Sequence, residues 1–319
     1  MQLMVTGGAG FIGSNFARMF FNSHLPGIQS MLVLDKLTYA GVPSNLNNLT
    51  GHRSYTFING DICDFELVSS LLDDVDAIIN FAAESHVDRS IGNASAFVET
   101  NVAGVQVLLD AIKLSARDIR FVQVSTDEVY GSIESGSWDE HSPLLPNSPY
   151  SATKAGGELL ARSYHRTHGL DVVVTRCSNN YGTHHFPEKL IPLFITNLLE
   201  GKRVPVYGNG KNVRDWLHVD DHCRGIYAAL MRGKSGEVYN IGGGRELTNL
   251  EITHMILKAM GKDETSIEYV ADRKGHDLRY SVDWRKISRE LGYEPQVKFE
   301  DGLRAVSYTH LTLPTNREV

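Results

Sequence analysis

The chain has few cysteines, no long apolar run and no excess of positive charge. Only Cys63, Cys177 and Cys223 occur among 319 residues. They are too few and too scattered for a disulfide framework or a zinc site, so a reducing compartment is expected. No stretch approaches the roughly 18 apolar residues of a membrane span. No basic segment leads into a signal-like stretch at the start, so a soluble cytoplasmic protein is expected. Against 38 Asp and Glu stand 31 Lys and Arg, a net charge of −7. That balance argues against a nucleic-acid surface, though it leaves room for a local basic pocket. Internal repeats and low-complexity linkers are missing too.

What is present is a core-forming pattern. Hydrophobic residues make up 42% of the chain and charged residues 22%, enough for one large or two moderate domains. The first half alternates strand-like and helix-like segments. Strands are expected at residues 2–6, 31–35, 55–59, 77–81, 121–125 and 171–175, and one more at 238–241. Helices are expected after the first strand, with Ile12, Phe16, Met19 and Phe20 on one face, and over residues 97–115 and 150–168. Such alternation implies a parallel sheet covered by helices on both faces. The second half is broken often by Gly and Pro. A helix starts near Asn249, with an apolar stripe at Ile252, Met255, Ile256, Ala259 and Met260, and Thr248 and Glu251 read as its capping box.

Directly after the first strand, Gly7, Gly10 and Gly13 form G-x-x-G-x-x-G at the start of a helix. Glycines there permit a tight turn and close approach of backbone to a pyrophosphate at the helix N-terminus. Asp35 ends the second strand, where an acid can hold ribose hydroxyls and disfavours a 2′-phosphate, so NAD is expected over NADP. Asp61 and Ile62 follow the third strand, where an adenine contact would lie. Ala82 and Ala83 follow the fourth, where small residues admit a cofactor. The fold class expected is therefore α/β, a Rossmann-type doubly wound parallel sheet with a smaller mixed α/β C-terminal substrate domain. The NAD-binding domain is expected over residues 1–180, with 215–243 returning to it. Residues 181–214 and 244–306 are assigned to the substrate domain.

Tyr150 and Lys154 form Y-x-x-x-K on one helix face. A nearby ammonium and a positive nicotinamide would favour the phenolate, giving a base for a hydroxyl proton. Thr126, Asp127 and Glu128 end the fifth strand, at the edge where open α/β sheets bind ligands. Adjacent acids in a regular strand face opposite ways. Here the chain is leaving the strand, so both are expected to reach the cleft. Two carboxylates held at different pKa values supply a base and an acid, as elimination of water requires.

The segments TGGAGFIGSNF, FAAESHVDRS, STDEVYG, YSATK, RCSNNYG, HFPEKLIP and NVRDWLHVDDH resemble those of the dTDP-glucose 4,6-dehydratases, within the extended short-chain dehydrogenases. The resemblance runs from Met1 to about Val306 and is specific at STDEVYG. It implies that Tyr150, assisted by Lys154 and Thr126, takes the sugar 4-hydroxyl proton, that Glu128 removes the carbon 5 proton, and that Asp127 protonates the departing 6-hydroxyl. It implies NAD contacts at Phe11, Ile12, Asp35, Asp61, Ile62, Thr100 and Asn180. It places Ser85, Asn179, Lys189, Leu190, Pro205, Tyr207, Arg214, Asn249, Arg273 and His276 around a dTDP-glucose substrate. Arg214, Arg273 and Lys189 suit a diphosphate, and Tyr207 a pyrimidine face. A homodimer through the 97–115 and 150–168 helices is also implied.

Thr183 and Lys274 depart from the family pattern, which commonly has Pro at both. Residues 307–319 read as a non-native tail, with no amphipathic continuation of a helix at 301–306. His218, Asp220, Asp221 and His222 resemble a metal cluster on paper but are read as the start of a structural helix, and no metal is expected. His184 and His185 are read as loop residues beside the substrate. Two rival functions stay open: a nucleotide-sugar 4-epimerase or UDP-sugar dehydratase on the same scaffold, and a non-catalytic NAD-binding sensor.

Overall fold

The structure, a computed structural model, describes residues 1–22 and 25–312. Seven parallel strands form the main sheet: β1 (Gln2–Thr6), β2 (Ser30–Asp35), β3 (Tyr55–Asn59), β4 (Ala77–Asn80), β5 (Arg120–Thr126), β6 (Val172–Cys177) and, later in the chain, β10 (Val238–Ile241). Their order is β10-β6-β5-β4-β1-β2-β3. The order reverses between β1 and β4, which opens a crevice at the strands' C-terminal ends. These strands are apolar on both faces: β4 and β6 are buried throughout. That is the pattern of a sheet covered on both sides.

The covering helices are α1 (Phe11–Phe21), α2 (Phe65–Ser70), α3 (Val87–Gly92), α4 (Ser95–Val98), α5 (Val105–Leu114) and α6 (Pro149–His168). One core lies between the sheet, α1 and a later helix, with Phe16, Val33, Ile79 and Ile226 in it. The other lies beneath α5 and α6, around Leu108, Ile112, Phe121 and Val174. Ser148 caps α6 in a reciprocal box with Ser151, Pro149 sits in its first turn, and Gly169 ends it in the left-handed conformation (φ 73°).

The helix expected over residues 97–115 is interrupted. Residues Glu99–Gly104 form a π-helical turn between α4 and α5. Close packing explains the break. A Cβ on Gly104 would lie 2.5 Å from the Ile62 side chain, and one on Gly157 would lie 2.2 Å from the Asn101 carbonyl. The wider turn is satisfied locally, because Asn101 bonds both backbone groups of Glu84 and the Thr153 hydroxyl.

The second half adds β7 (Asn179–Tyr181), α7 (Leu190–Leu199), β8 (Val204–Tyr207), β9 (Val213–His218), α8 (Val219–Arg232), β11 (Glu246–Thr248), α9 (Asn249–Ala259), β12 (Ile267–Val270), α10 (Arg285–Leu291) and α11 (Phe299–Thr312). It holds a three-stranded mixed sheet, β11-β9-β7, and a parallel pair, β12-β8. α8 and β10 return to the main sheet, but β9, expected to return with them from residue 215, lies in the smaller sheet. The capping box of Thr248 with Glu251 starts α9 as expected. The expected stop at Val306 is corrected, since α11 continues to Thr312 and Ser307 is buried, bonded back to the Leu303 carbonyl. Residues 313–319 of the suspected tail lie outside the described residues. Among the described residues no helix is long and apolar enough to cross a membrane.

Candidate active site

The crevice is a cavity of about 340 Å³ along the C-terminal edge of the main sheet. Its floor is the turn between β1 and α1. Gly7 has φ 67°, and a Cβ there would lie 2.5 Å from the Ala82 nitrogen. A Cβ on Gly13 would fall 2.4 Å from the Gly7 carbonyl. Only bare backbone fits, and no side chain caps α1 at Gly10. A helix N-terminus left open under a glycine turn is built for a pyrophosphate. At the far side, the Asp35 carboxylate accepts from the Ala9 and Leu37 amides, each at 2.8 Å, and stays in the cavity wall. Burial raises its pKa while those amides oppose the shift. Each oxygen keeps a lone pair for a ribose hydroxyl. These features fit a dinucleotide.

Every residue expected at the cofactor lines this cavity: Gly7, Gly10, Phe11, Ile12, Gly13, Asp35, Asp61, Ile62, Ala82, Ala83, Thr100, Tyr150, Lys154 and Asn180. Asp61 also pairs with Lys36 at 2.5 Å. Asn180 is oriented at both ends: its amide donates to the Ser178 carbonyl at 3.0 Å, and its oxygen faces Nδ1 of His222 at 3.0 Å. His222 is fully buried in α8, and burial lowers its pKa to about 3. It is a neutral donor. His218 caps the same helix through the Asp220 amide, and Asp221 accepts the Gln296 and Val297 amides. These residues start α8 and tie it to the backbone at Gln296 and Val297.

At the tip of β5 the chain leaves the strand in a 3₁₀ turn, Asp127–Tyr130. The turn rotates both acids into the cavity. The Thr126 hydroxyl donates to Asp127 Oδ1 at 3.2 Å and accepts the Glu128 amide at 3.3 Å. Asp127 Oδ2 is buried without a partner. Its pKa is pushed well up, by burial first and then by the charges of Glu128 and Asp215. Burial raises Glu128 too, but Arg214, Lys189 and Arg273 pull it back. One carboxyl therefore tends to hold its proton and its neighbour to release it, the split that paired acid–base work needs.

Tyr150 is buried, edge-on to Phe97 at 6.4 Å. The expectation that its neighbourhood favours the phenolate is corrected for the protein alone. Burial raises the phenol well above its ordinary value, and Glu128 and Cys177 add to that, with only Thr126 opposing among the nearest groups. The Lys154 ammonium is engaged elsewhere, donating to the Val124 carbonyl at 2.6 Å, and burial lowers its pKa to about 8. Desolvation of the phenol outweighs a cation that is itself desolvated.

The substrate set divides. Ser85, Thr126, Asn179, Lys189 and Leu190 line the cavity. Lys189 donates to the Ser85 carbonyl at 2.9 Å, and burial lowers its pKa. Asn179 Oδ1 is buried without a partner, like Asp127 Oδ2, and two such acceptors in one wall mark a place for a ligand's donors. The other six stand outside the cavity lining. Pro205 and Tyr207 are on β8, and Asn249 opens α9. The Arg214 guanidinium lies 4.3 Å over the Tyr280 ring and donates to the Val213 and Asp277 carbonyls. Arg273 pairs with Asp88 at 2.7 Å over the Tyr207 ring, and His276 meets Asp272 at 2.7 Å. Sequence reasoning missed Lys36, Glu84, Glu188, Phe186 and Trp216 in the lining. Lys36 follows Asp35 at a strand tip, a signal that was there to use. His185 stacks on Phe11 at 4.2 Å inside the cofactor half.

The sequence profile of the family described as GDP-mannose 4,6 dehydratase matches residues 4–306. A dTDP-glucose 4,6-dehydratase of Streptomyces niveus is 58% identical over 305 residues, covering 95% of this chain and 90% of that one. The crystal structure of DesIV, a dTDP-glucose 4,6-dehydratase from Streptomyces venezuelae with NAD and TYD bound, superposes with a TM-score of 0.95 at 58% identity, covering 97% and 96% of the two chains. A UDP-glucuronic acid 4-epimerase from Bacillus cereus has the same fold (TM-score 0.90, covering 98% and 99%) at only 32% identity. The chain belongs to the GDP-mannose 4,6 dehydratase family and, within it, to the dTDP-glucose 4,6-dehydratases.

Proposed function

We propose that this protein converts dTDP-glucose to dTDP-4-keto-6-deoxyglucose with NAD as a retained cofactor. The observation that carries the reading is the pair Asp127–Glu128 sharing one cavity with Tyr150 and Lys154. The relatives' activity and the NAD in their structures support it. When bound, NAD would supply the acceptor for the carbon 4 hydride and the donor for carbon 6, and a positive charge beside the phenol. Its pyrophosphate would rest on the glycine turn, its ribose on Asp35, and its nicotinamide half near Tyr150, Lys154 and Asn180.

The chain's own groups do the rest. Tyr150, as phenolate, takes the 4-hydroxyl proton, with Thr126 holding the oxygen. The ketone left at carbon 4 acidifies carbon 5, and Glu128 removes that proton. Asp127 gives its proton to the departing 6-hydroxyl, which leaves as water. Glu128 returns a proton to carbon 5. The proton gained by Tyr150 replaces the one lost from Asp127 through solvent, so each turn loses one water and nothing else. Lys189 with Arg214 and Arg273 would face the diphosphate.

We also assign the domains as the sequence suggests, except that β9 goes with the smaller sheet, and infer a cytoplasmic homodimer. The α4–α6 face exposes Val98 (49%) and Leu159 (51%), which suits a second copy. The test is incubation with dTDP-glucose and with UDP-glucose, then alkali. Keto-sugar absorbance from dTDP-glucose is expected. A galactose product without it supports the epimerase instead, and no reaction supports a sensor.

A further inference from the structure

We propose that the buried triad Glu158, Arg176 and Tyr130 is a positioning device that fixes the Asp127–Glu128 turn against the Tyr150–Lys154 pair. The inference rests on the dehydratase reading above. None of the three lines the cavity, so they act through the groups that do.

The sequence spacing sets up one side. Tyr150, Lys154 and Glu158 follow each other at intervals of four on α6, which puts them on one helix face. The first two reach the cavity, and the third is fully buried behind them. The other side is the turn at the tip of β5. Tyr130 is its last residue, two positions after Glu128. Between the two stands Arg176 on β6, buried without exposure. Strand register places it opposite Ser125, one residue before Thr126.

Arg176 holds both sides. Its Nε donates to Glu158 Oε2 at 3.0 Å and its Nη2 to Oε1, a two-pronged pair. Its Nη1 donates to the Tyr130 hydroxyl, and the guanidinium carbon lies 4.6 Å over that ring. The Tyr130 hydroxyl in turn donates to Asn240 Oδ1 at 2.8 Å, and Asn240 is anchored on the Trp138 and Asp283 carbonyls. One planar cation thus ties α6, β6, β10 and the acid-bearing turn together.

Stability alone does not account for it. A buried ion pair roughly breaks even against apolar side chains of the same volume. What the fork provides is a single allowed geometry. The proposed chemistry needs that geometry. A phenol acting at carbon 4 and two carboxyls acting at carbons 5 and 6 must share one sugar, and displacements near 1 Å cost rate steeply.

Tyr130→Phe tests this with the least damage, because it removes one hydroxyl and no charge. With dTDP-glucose, kcat is expected to fall about ten-fold or more while KM stays within roughly two-fold. Absorbance of reduced cofactor at the enzyme should build up, because oxidation at carbon 4 then outruns elimination. Glu158→Gln, where it folds, should show the same signature. Wild-type kcat in a folded Tyr130→Phe protein overturns the inference, as does a loss that merely tracks the folded fraction or KM. An active wild type with an unaffected variant overturns the inference alone. A wild type inert toward dTDP-glucose overturns the dehydratase reading and this inference with it.

Discussion

The two halves of the cleft are built on different principles. In the cofactor half, the expected contacts come mostly from strand ends and the glycine turn leading into α1, with Thr100 from the π-turn and Tyr150 and Lys154 from the start of α6, and all fourteen line the cavity. In the substrate half, only five of eleven do. The cofactor half is backbone geometry that local sequence dictates. The substrate half relies on charged and aromatic side chains far apart in the chain, and its charged groups are held by partners within the protein: Arg273 by Asp88, Arg214 on β9 by the Asp277 carbonyl, His276 by Asp272. Backbone sites are set before a ligand arrives, whereas side-chain sites must exchange one partner for another.

The largest expected effect lies where the halves meet. Replacing Asp127 by Asn and Glu128 by Gln together should lower product formation by about 10³-fold or more, since it removes both the acid and the base. The protein should still fold and hold NAD, as cofactor content after purification will show. Retained turnover would detach the chemistry from the strand tip.

The halves should then fail differently. Gly7→Ala adds a Cβ 2.5 Å from the Ala82 backbone in a left-handed conformation. It should abolish co-purified NAD and lower Tm. Arg273→Ala removes one cation that could face a diphosphate, so KM for dTDP-glucose should rise roughly ten-fold or more with NAD content unchanged. If Gly7→Ala kept its cofactor, the distinction between backbone and side-chain sites would collapse.

A pH effect sharpens the cofactor side. The folded pKa of His222, about 3, lies below its ordinary 6.5. The unfolded chain therefore binds the extra proton between these values, and stability falls as pH drops below 6.5, by up to about 1.4 kcal/mol per unit. Chemical denaturation from pH 7 to pH 5 should show this slope, and His222→Gln should flatten it. The smallest effect concerns Asp127. Its folded pKa is raised, so the folded state binds protons more readily than the unfolded one and loses that advantage as pH rises toward neutrality. Asp127→Asn should consequently raise Tm at pH 7, by about 2 °C, while removing activity.

Much of this was legible in the chain. β1, β3 and β10 run where their apolar segments predict, and the α9 capping box is the one that Thr248 and Glu251 spell out. Those signals are local. The π-turn at Glu99–Gly104 was not legible, because contacts with Ile62 and α6 impose it. The continuation of α11 past Val306 was missed because the segment's composition gave no stripe to read. The state of Tyr150 was misjudged for a related reason. Spacing reveals that Lys154 is near but not that both groups are desolvated, and desolvation decides the sign. The spacing puts Glu158 on the face of Tyr150 and Lys154, but its pairing with Arg176 is not legible in the chain, since that depends on how β6 lies under α6.

The central claim is that two acids and a phenol in one cavity turn an oxidation at carbon 4 into a net change at carbon 6. The most direct measurement uses dTDP-glucose carrying deuterium at carbon 4 and follows the label by NMR. The account predicts a 4-keto-6-deoxy product with that deuterium on carbon 6. Deuterium found on carbon 4 of a galactose product, or washed into solvent without reduction of carbon 6, would contradict it.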